Sequence, residues 1–288
     1  MKDKLEILSI VKRALREDIG RGDITTKAVL WPDLKIKAII LAKEEGILAG
    51  INIAKLAFKS IDKRIKFIPI LKDGEKIKKG SVIARIEGKA SKILNIERTA
   101  LNFLMHLSGV STLTRRFVER IKPYKVKIVD TRKTLPALRI LEKYAVKVGG
   151  GYNHRMGLFD QVLIKKNHIN SLKRAKKLKL KDLIEEVKKK VPEKKIEIEV
   201  KNLREFEDAL KAKPDIIMLD NMGIKDIKKT VSICKLQTTD YKPKLEASGG
   251  VNLENVRKIA KTGVDMISIG ALTHSAKAID MSLEVLID

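Results

Sequence analysis

Between Asp130 and Asp160 the chain reads DTRKTLPALRILEKYAVKVGGGYNHRMGLFD, gathering Arg132, Lys133, Arg139, Lys143, Lys147, His154 and Arg155 around one amphipathic segment and three consecutive glycines. Such a set suits an acid. Guanidinium forks match the planar geometry of carboxylate and phosphate, and glycine lets backbone approach a ligand closely. In a chain with 62 Lys and Arg, basic residues on a helix are usually a solvated face, and Arg139, Lys143 and Lys147 are read that way. Arg132, Lys133, His154 and Arg155 remain as the candidates for function.

The elements around them place these residues where α/β proteins bind ligands. Lys125 to Asp130 alternates as a short strand would. Pro136 fits the first turn of a helix, where its missing N–H costs nothing. Leu138, Leu141, Ala145 and Val148 follow at spacings of three and four as one apolar stripe. Gly149, Gly150 and Gly151 end the helix. Asp130 to Lys133 therefore lies at a strand end, and His154 with Arg155 lies on the loop after the helix.

Beyond Pro123 the pattern of strand, loop and helix repeats. KVKIVD, DQVLIKK, KKIEIEV, PDIIMLD, KLEAS and VDMISIG are strand candidates, separated by amphipathic stretches such as LKDLIEEVKKKV and LENVRKIAKTG. This alternation implies right-handed βαβ units and a parallel sheet. Six strands are fewer than the eight of a complete barrel, so an open sheet and an incomplete barrel both stand. In KKIEIEV the carboxylates Glu197 and Glu199 share one face. Buried carboxylates are costly unless paired or metal-bound. Glu199 is nearer the C-terminal end of its strand, whereas Glu197 reads as a buried partner for a lysine. Asp220 follows the next strand, and two acids at one height on successive strands suggest a divalent cation such as Mg²⁺. Lys165 follows VLI, Ser248, Gly249 and Gly250 follow KLEA, and Gly270 follows DMISI. Small residues there expose N–H groups that can hold phosphate, helped by a helix beginning at LENV.

The first 90 residues have another style, an α+β one: strand-like runs at Lys35 to Ala42 and Ser81 to Ile86, broken by EEGILAG and LKDGEKIKKGS, whose glycines mark turns. From Ser91 to Leu107 a helix carries Ile93, Ile96, Ala100, Leu104 and Leu107 on one stripe. At ~100° per residue Arg98 lies about 200° round from Ile96, so it points to solvent or to another subunit.

Composition bounds the rest. At 288 residues two domains, or one barrel with an addition, are expected. No apolar run approaches the ~20 residues that span a bilayer, and the N-terminal stretch lacks a signal-peptide core, so no membrane partner is expected. Cys234 is the only cysteine, which rules out an intrachain disulfide and suits a reducing cytoplasm; on a helix it reads as a buried structural thiol. The net charge of +26 would suit nucleic acid, yet the lysines are spread along the chain and aromatics are 4%, so no nucleic-acid partner is expected.

The motifs EDIGRGDITT (Glu17 to Thr26), NIERTALNFL, the long central run, IEIEV, MLDN, EASGGV and SIGALTHS resemble the quinolinate phosphoribosyltransferase family, also called nicotinate-nucleotide pyrophosphorylase (carboxylating), over nearly the whole chain. The resemblance implies an N-terminal α+β open sandwich, 1–108 completed by 274–288, joined to an incomplete α/β barrel of six or seven parallel strands at 109–273. It implies transfer of phosphoribosyl from phosphoribosyl pyrophosphate to quinolinate with decarboxylation, in NAD synthesis, without an organic cofactor. Arg132, Lys133, His154, Arg155 and Lys165 would bind the two carboxylates of quinolinate. Arg98 would come from the neighbouring subunit of a homodimer, itself possibly part of a hexamer. Glu199 and Asp220 would hold Mg²⁺, and with Lys133 and Lys165 form the catalytic set. Ser248, Gly249, Gly250 and Gly270 would cradle phosphate, and His274 is left without a role. A molybdenum-transport-associated homologue, nicotinate phosphoribosyltransferase and a basic nucleic-acid-binding protein stand as alternatives.

Overall fold

Apolar alternation and glycine punctuation set most of the element boundaries in the computed structural model, which describes residues 2–175, 179–236 and 241–287. In chain order these are α1 (Lys2–Ile19), α2 (Ile24–Val29), β1 (Lys35–Ala42), β2 (Gly46–Ile47), α3 (Ile51–Ile61), β3 (Lys66–Pro69), β4 (Lys76–Ile77), β5 (Val82–Lys89) and α4 (Ala90–Arg120). There follow β6 (Lys127–Val129), α5 (Arg139–Val148), β7 (Val162–Ile164), α6 (Lys166–Ala175), α7 (Leu180–Lys190), β8 (Ile196–Val200), α8 (Leu203–Ala212) and β9 (Ile216–Asp220). The chain continues with α9 (Ile224–Leu236), β10 (Lys244–Ser248), α10 (Val256–Ala260), β11 (Met266–Ser268), α11 (Ala271–His274) and β12 (Met281–Val285). They form two compact units: residues up to Arg115, Thr134–Gly150 and those from Leu272 onward make one, and Arg116–Lys133 with Gly151–Ala271 make the other.

The first unit is built on an antiparallel sheet in the order β12-β1-β5-β3, so the end of the chain closes the sheet begun near its start. The segments read as turns also carry a two-residue ladder, β2 with β4. The α4 stripe is buried as expected, with Ile93, Ile96, Ala100, Leu104 and Leu107 at 1% exposure or less. The helix runs to Arg120, however, thirteen residues past the expected Leu107. Its small polar continuation satisfies the backbone of another segment: Ser108 Oγ accepts from Ala49 N at 3.0 Å, Thr112 Oγ1 accepts from Ile47 N at 2.8 Å, and Ser111 Oγ donates to Ile47 O at 2.6 Å. Within the helix position 109 is a glycine because a Cβ there would come within 2.2 Å of Lys277 O.

The helix α5 differs from its expected form in two ways. It starts at Arg139, with Pro136 in a preceding turn, because Ala137 has a left-handed φ of 62° that no helix tolerates. Its buried surface is also wider than one stripe. Lys143 is 1% exposed rather than solvated, Arg139 is half-buried with Nε donating to Thr134 Oγ1 at 3.0 Å, and Lys147 alone of the three is exposed. Glu142, fully buried, takes His106 Nε2 at 2.8 Å and accepts from Leu135 N at 3.1 Å. At the helix end only Gly150 turns left-handed, at φ 93°; Gly149 is needed because a Cβ would lie 2.5 Å from Ser111 O.

In the second unit all six expected strands form one parallel sheet, ordered β6-β11-β10-β9-β8-β7. The two end strands, β6 and β7, are not paired with each other among the described residues, which is the incomplete-barrel arrangement. Cys234 on α9 is half-buried, and burial pushes its thiol up to about 11, so it is no nucleophile at neutral pH. No helix among the described residues is long and apolar enough to cross a membrane.

Candidate active site

The C-terminal ends of the strands in the second unit bring most of the candidate residues to one side of the sheet. Asp130, just past β6, is fully buried, and its Oδ1 accepts the His154 N–H at 2.8 Å. Tyr152 pairs alongside Val129, with its N–H donating to Ile128 O at 2.8 Å, so the loop after α5 returns beside the strand that it left. That return carries His154 and Arg155 into the unit, with Arg155 7% exposed.

Strand register sets the height of each acid. Glu199 on β8 pairs with Met218 on β9, which pairs with Glu246 on β10. Asp220 pairs with Ser248, and Ser248 with Ser268 on β11. The sequence suggested one height for Glu199 and Asp220, but the register separates them: Glu199 is level with Met218, and Asp220 lies two residues nearer the strand ends, beyond the last β8 pair, Val200 with Leu219. The side chain that meets Asp220 is Lys201, Nζ to Oδ2 at 3.8 Å. Both acids are half-buried.

Glu197 is fully buried, and its partner is not a lysine. His154 Nε2 lies 3.0 Å from its Oε2, and Gln161 Nε2 donates to the same oxygen at 2.8 Å. Glu246, also fully buried, has Oε2 3.5 Å from His154 Nε2. Sequence reading missed Glu246, Gln161 and Asp130 as parts of the site. A fully polar position within a buried strand was the only available signal for Glu246.

His154, Glu197 and Glu246 offer three donor atoms within 4.8 Å of one another, a spacing compatible with a cation. The hydrogen bonding argues for a proton instead. A metal-bound imidazole normally donates its other ring N–H, whereas Nδ1 here accepts from Arg155 N at 2.8 Å. The ring proton is thus on Nε2, facing the carboxylates. Burial opposes charge on the imidazole while the contacts with Glu197 and Glu246 favour it; the Arg155 N–H on Nδ1 keeps that nitrogen unprotonated, so the ring carries one proton, held between Nε2 and the carboxylates. Burial raises Glu197, while the His154 contact works against that rise. Groups this close titrate as a unit. Both ring nitrogens are engaged by protein, so the ring has no nitrogen left for a substrate carboxylate.

The cationic side of the site is unusual in placing like charges together. Burial, then the neighbouring Arg132, hold Arg155 below the ordinary guanidinium range, with Glu197 and Asp160 pulling the other way. Lys133 is exposed, its N–H donating to Thr131 Oγ1 at 3.0 Å, and Lys165 is exposed just past β7.

The turn after β10 has the open backbone expected of Ser248, Gly249 and Gly250. Gly249 and Gly250 have φ of 89° and 60°. A Cβ on Gly249 would lie 2.3 Å from Asn221 Oδ1, and Asn221 N donates to Ser248 O at 2.8 Å. Asn221, itself left-handed at φ 55°, thereby ties the residue after Asp220 to the glycine turn. The expected helix at LENV begins later, at Val256, and Asn255 uses its Nδ2 to hold Gly250 O at 2.9 Å. Gly270 follows β11 as expected. In the first unit Arg98 is exposed, with Glu97 Oε1 3.9 Å away, and exposed His274 bonds Ser275 Oγ at 2.7 Å.

Residues 110–284 match the family model described as quinolinate phosphoribosyl transferase, C-terminal domain, and residues 23–108 match its N-terminal domain counterpart. A probable nicotinate-nucleotide pyrophosphorylase (carboxylating) of Methanocaldococcus jannaschii is 44% identical over 283 residues, covering 96% of each chain. A chloroplastic nicotinate-nucleotide pyrophosphorylase (carboxylating) of Arabidopsis thaliana is 40% identical over 291 residues, covering 97% of this chain and 83% of its own. The solved nicotinate-nucleotide pyrophosphorylase of Francisella tularensis superposes with a TM-score of 0.89 at 41% identity, covering 98% of this chain and 96% of that one.

Proposed function

The chain belongs to the quinolinate phosphoribosyl transferase family, and from that premise we propose how its own residues carry the reaction. It is a phosphoribosyltransferase of NAD synthesis, transferring phosphoribosyl from phosphoribosyl pyrophosphate to quinolinate and releasing pyrophosphate and CO₂. The observation that supports the site assignment best is the burial of the Arg155 guanidinium, 7% exposed, whose charge is opposed by that burial and then by Arg132. Two guanidinium groups near each other suit a dianion, and quinolinate is a dianion with its carboxylates on adjacent carbons.

In this reading Arg132 and Arg155 grip the carboxylates, exposed Lys133 and Lys165 add charge at the rim, and His154 braces the floor. Ser248, Gly249, Gly250 and Gly270 present backbone to phosphate. Glu199 and Asp220 are half-buried carboxylates on neighbouring strands, and Asp220 already draws the Lys201 ammonium. That donor set fits Mg²⁺, for which one or two carboxylates plus substrate phosphates are the usual shell. When bound there, the ion would offset negative charge developing on the departing pyrophosphate. The arginines hold the pyridine nitrogen in register with the ribose anomeric carbon, a positioning effect. The nitrogen forms the new C–N bond as pyrophosphate leaves, the positive ring stabilises the electron pair left on the adjacent carbon when its carboxylate departs as CO₂, and that carbon then takes up a proton from solvent to give nicotinate mononucleotide. Formation of nicotinate mononucleotide by the purified protein from quinolinate, phosphoribosyl pyrophosphate and Mg²⁺ tests the reading; no turnover under those conditions refutes it. The lone cysteine supports a reducing, cytoplasmic setting.

Arg98 supports a homodimeric enzyme. It faces away from the buried α4 stripe and is exposed, so its job lies outside its own helix packing. If it completes a neighbour's site, Arg98→Ala and Arg132→Ala subunits, each nearly inactive alone, will regain activity on mixing with exchange. Random assortment of equal amounts makes about half the dimers mixed, each with one intact site, so recovery will approach about a quarter of wild type. No recovery after demonstrated exchange would assign Arg98 to its own subunit.

A further inference from the structure

The hydrogen bonds around Arg155 close on themselves. Its backbone N–H donates to His154 Nδ1 at 2.8 Å; His154 Nε2 meets Glu197 Oε2 at 3.0 Å; that oxygen accepts Gln161 Nε2 at 2.8 Å; and Gln161 O accepts Arg155 Nη1 at 2.9 Å. The ring thus starts at the backbone of Arg155 and ends at its guanidinium. Asp130 anchors it to β6 by accepting the His154 N–H, and Glu197 anchors it to β8. An arginine side chain has many rotamers, and fixing its head requires bonds on the side away from the ligand. One nitrogen of the Arg155 fork is used in this way, which leaves the rest of the fork to a carboxylate.

We propose that Gln161 and Glu197 are positioning residues for Arg155, and that the ring they close sets the preference for a diacid over a monoacid. Neither need touch the substrate. Gln161 pins its own carbonyl by hanging its amide on Glu197, and Glu197 fixes the His154 tautomer that receives the Arg155 N–H. The tie on the Arg155 head in this network is the backbone carbonyl of Gln161, which no side-chain substitution deletes, so the amide that holds Gln161 to Glu197 is the part that substitution can remove without deleting a charge. The proposal rests on the assignment of Arg155 as a carboxylate ligand.

Gln161→Met keeps the side-chain size at a half-buried position and removes the donor. Its affinity for quinolinate, by titration calorimetry without the second substrate, is expected to fall roughly tenfold or more, the scale of one hydrogen bond to a charged group. The affinity for nicotinate, which has one carboxylate, is expected to fall less, so the quinolinate-to-nicotinate ratio narrows. KM for phosphoribosyl pyrophosphate and the thermal midpoint are expected to stay near wild type. Glu197→Gln, which keeps an acceptor for both partners, is expected to lie between wild type and Gln161→Met. An unchanged ratio in Gln161→Met overturns the proposal. So does a parallel loss of affinity for both substrates with a lowered thermal midpoint, which would mark Gln161 as merely structural. Failure of the wild-type protein to bind quinolinate at all would instead sink the assignment of Arg155, a result visible before any variant is made.

Discussion

Arg155→Ala is expected to lower kcat/KM for quinolinate by a factor corresponding to ~2–5 kcal/mol, because a desolvated substrate carboxylate then loses its charged partner. At about 1.4 kcal/mol per decade that is roughly 1.5 to 3.5 decades. Arg132→Ala is expected to fall in the same range, since the two guanidinium groups are neighbours that share one dianion. Their effects are expected to be less than additive in the double variant, as for residues serving a single ligand. Steady-state kinetics with quinolinate varied at saturating phosphoribosyl pyrophosphate measure this. Near-wild-type turnover in both single variants would remove the clamp from the account.

Loss of the divalent cation is expected to abolish turnover, with EDTA reducing it to background and Mg²⁺ restoring it. Asp220→Asn is expected to raise the Mg²⁺ concentration for half-maximal activity by on the order of tenfold, since a hard cation loses one charged oxygen. Lys201 makes this test sharper. Its ammonium lies 3.8 Å from Asp220, so it competes for the same carboxylate when no ion is present. Lys201→Ala is accordingly expected to lower the Mg²⁺ requirement, opposite in sign to Asp220→Asn. Full activity in chelator would assign Glu199 and Asp220 to some other task.

The sequence alone determined what depends on local period and residue chemistry. Six strands of the second unit, the buried stripe of α4 and the outward Arg98 all follow from spacing, because alternation and 3.6-residue repeats record which face a segment buries. The cationic character of the Asp130 to Asp160 segment and the small residues at strand ends were equally legible, since strand ends and glycines have the same chemistry in any packing. Tertiary structure decided the rest. Strand register shifts by whole layers without changing the pattern of either strand, so only the folded sheet places Asp220 beside Lys201 and Glu199 level with Glu246. Helix length in α4 depends on segments far away in sequence that meet its small polar residues, which the local pattern marks as exposed. The ring through His154, Glu197 and Gln161 joins the loop between α5 and β7 to strand β8, and no spacing within a single segment encodes it, because its bonds to Glu197 form only after the parallel sheet has brought loop and strand together.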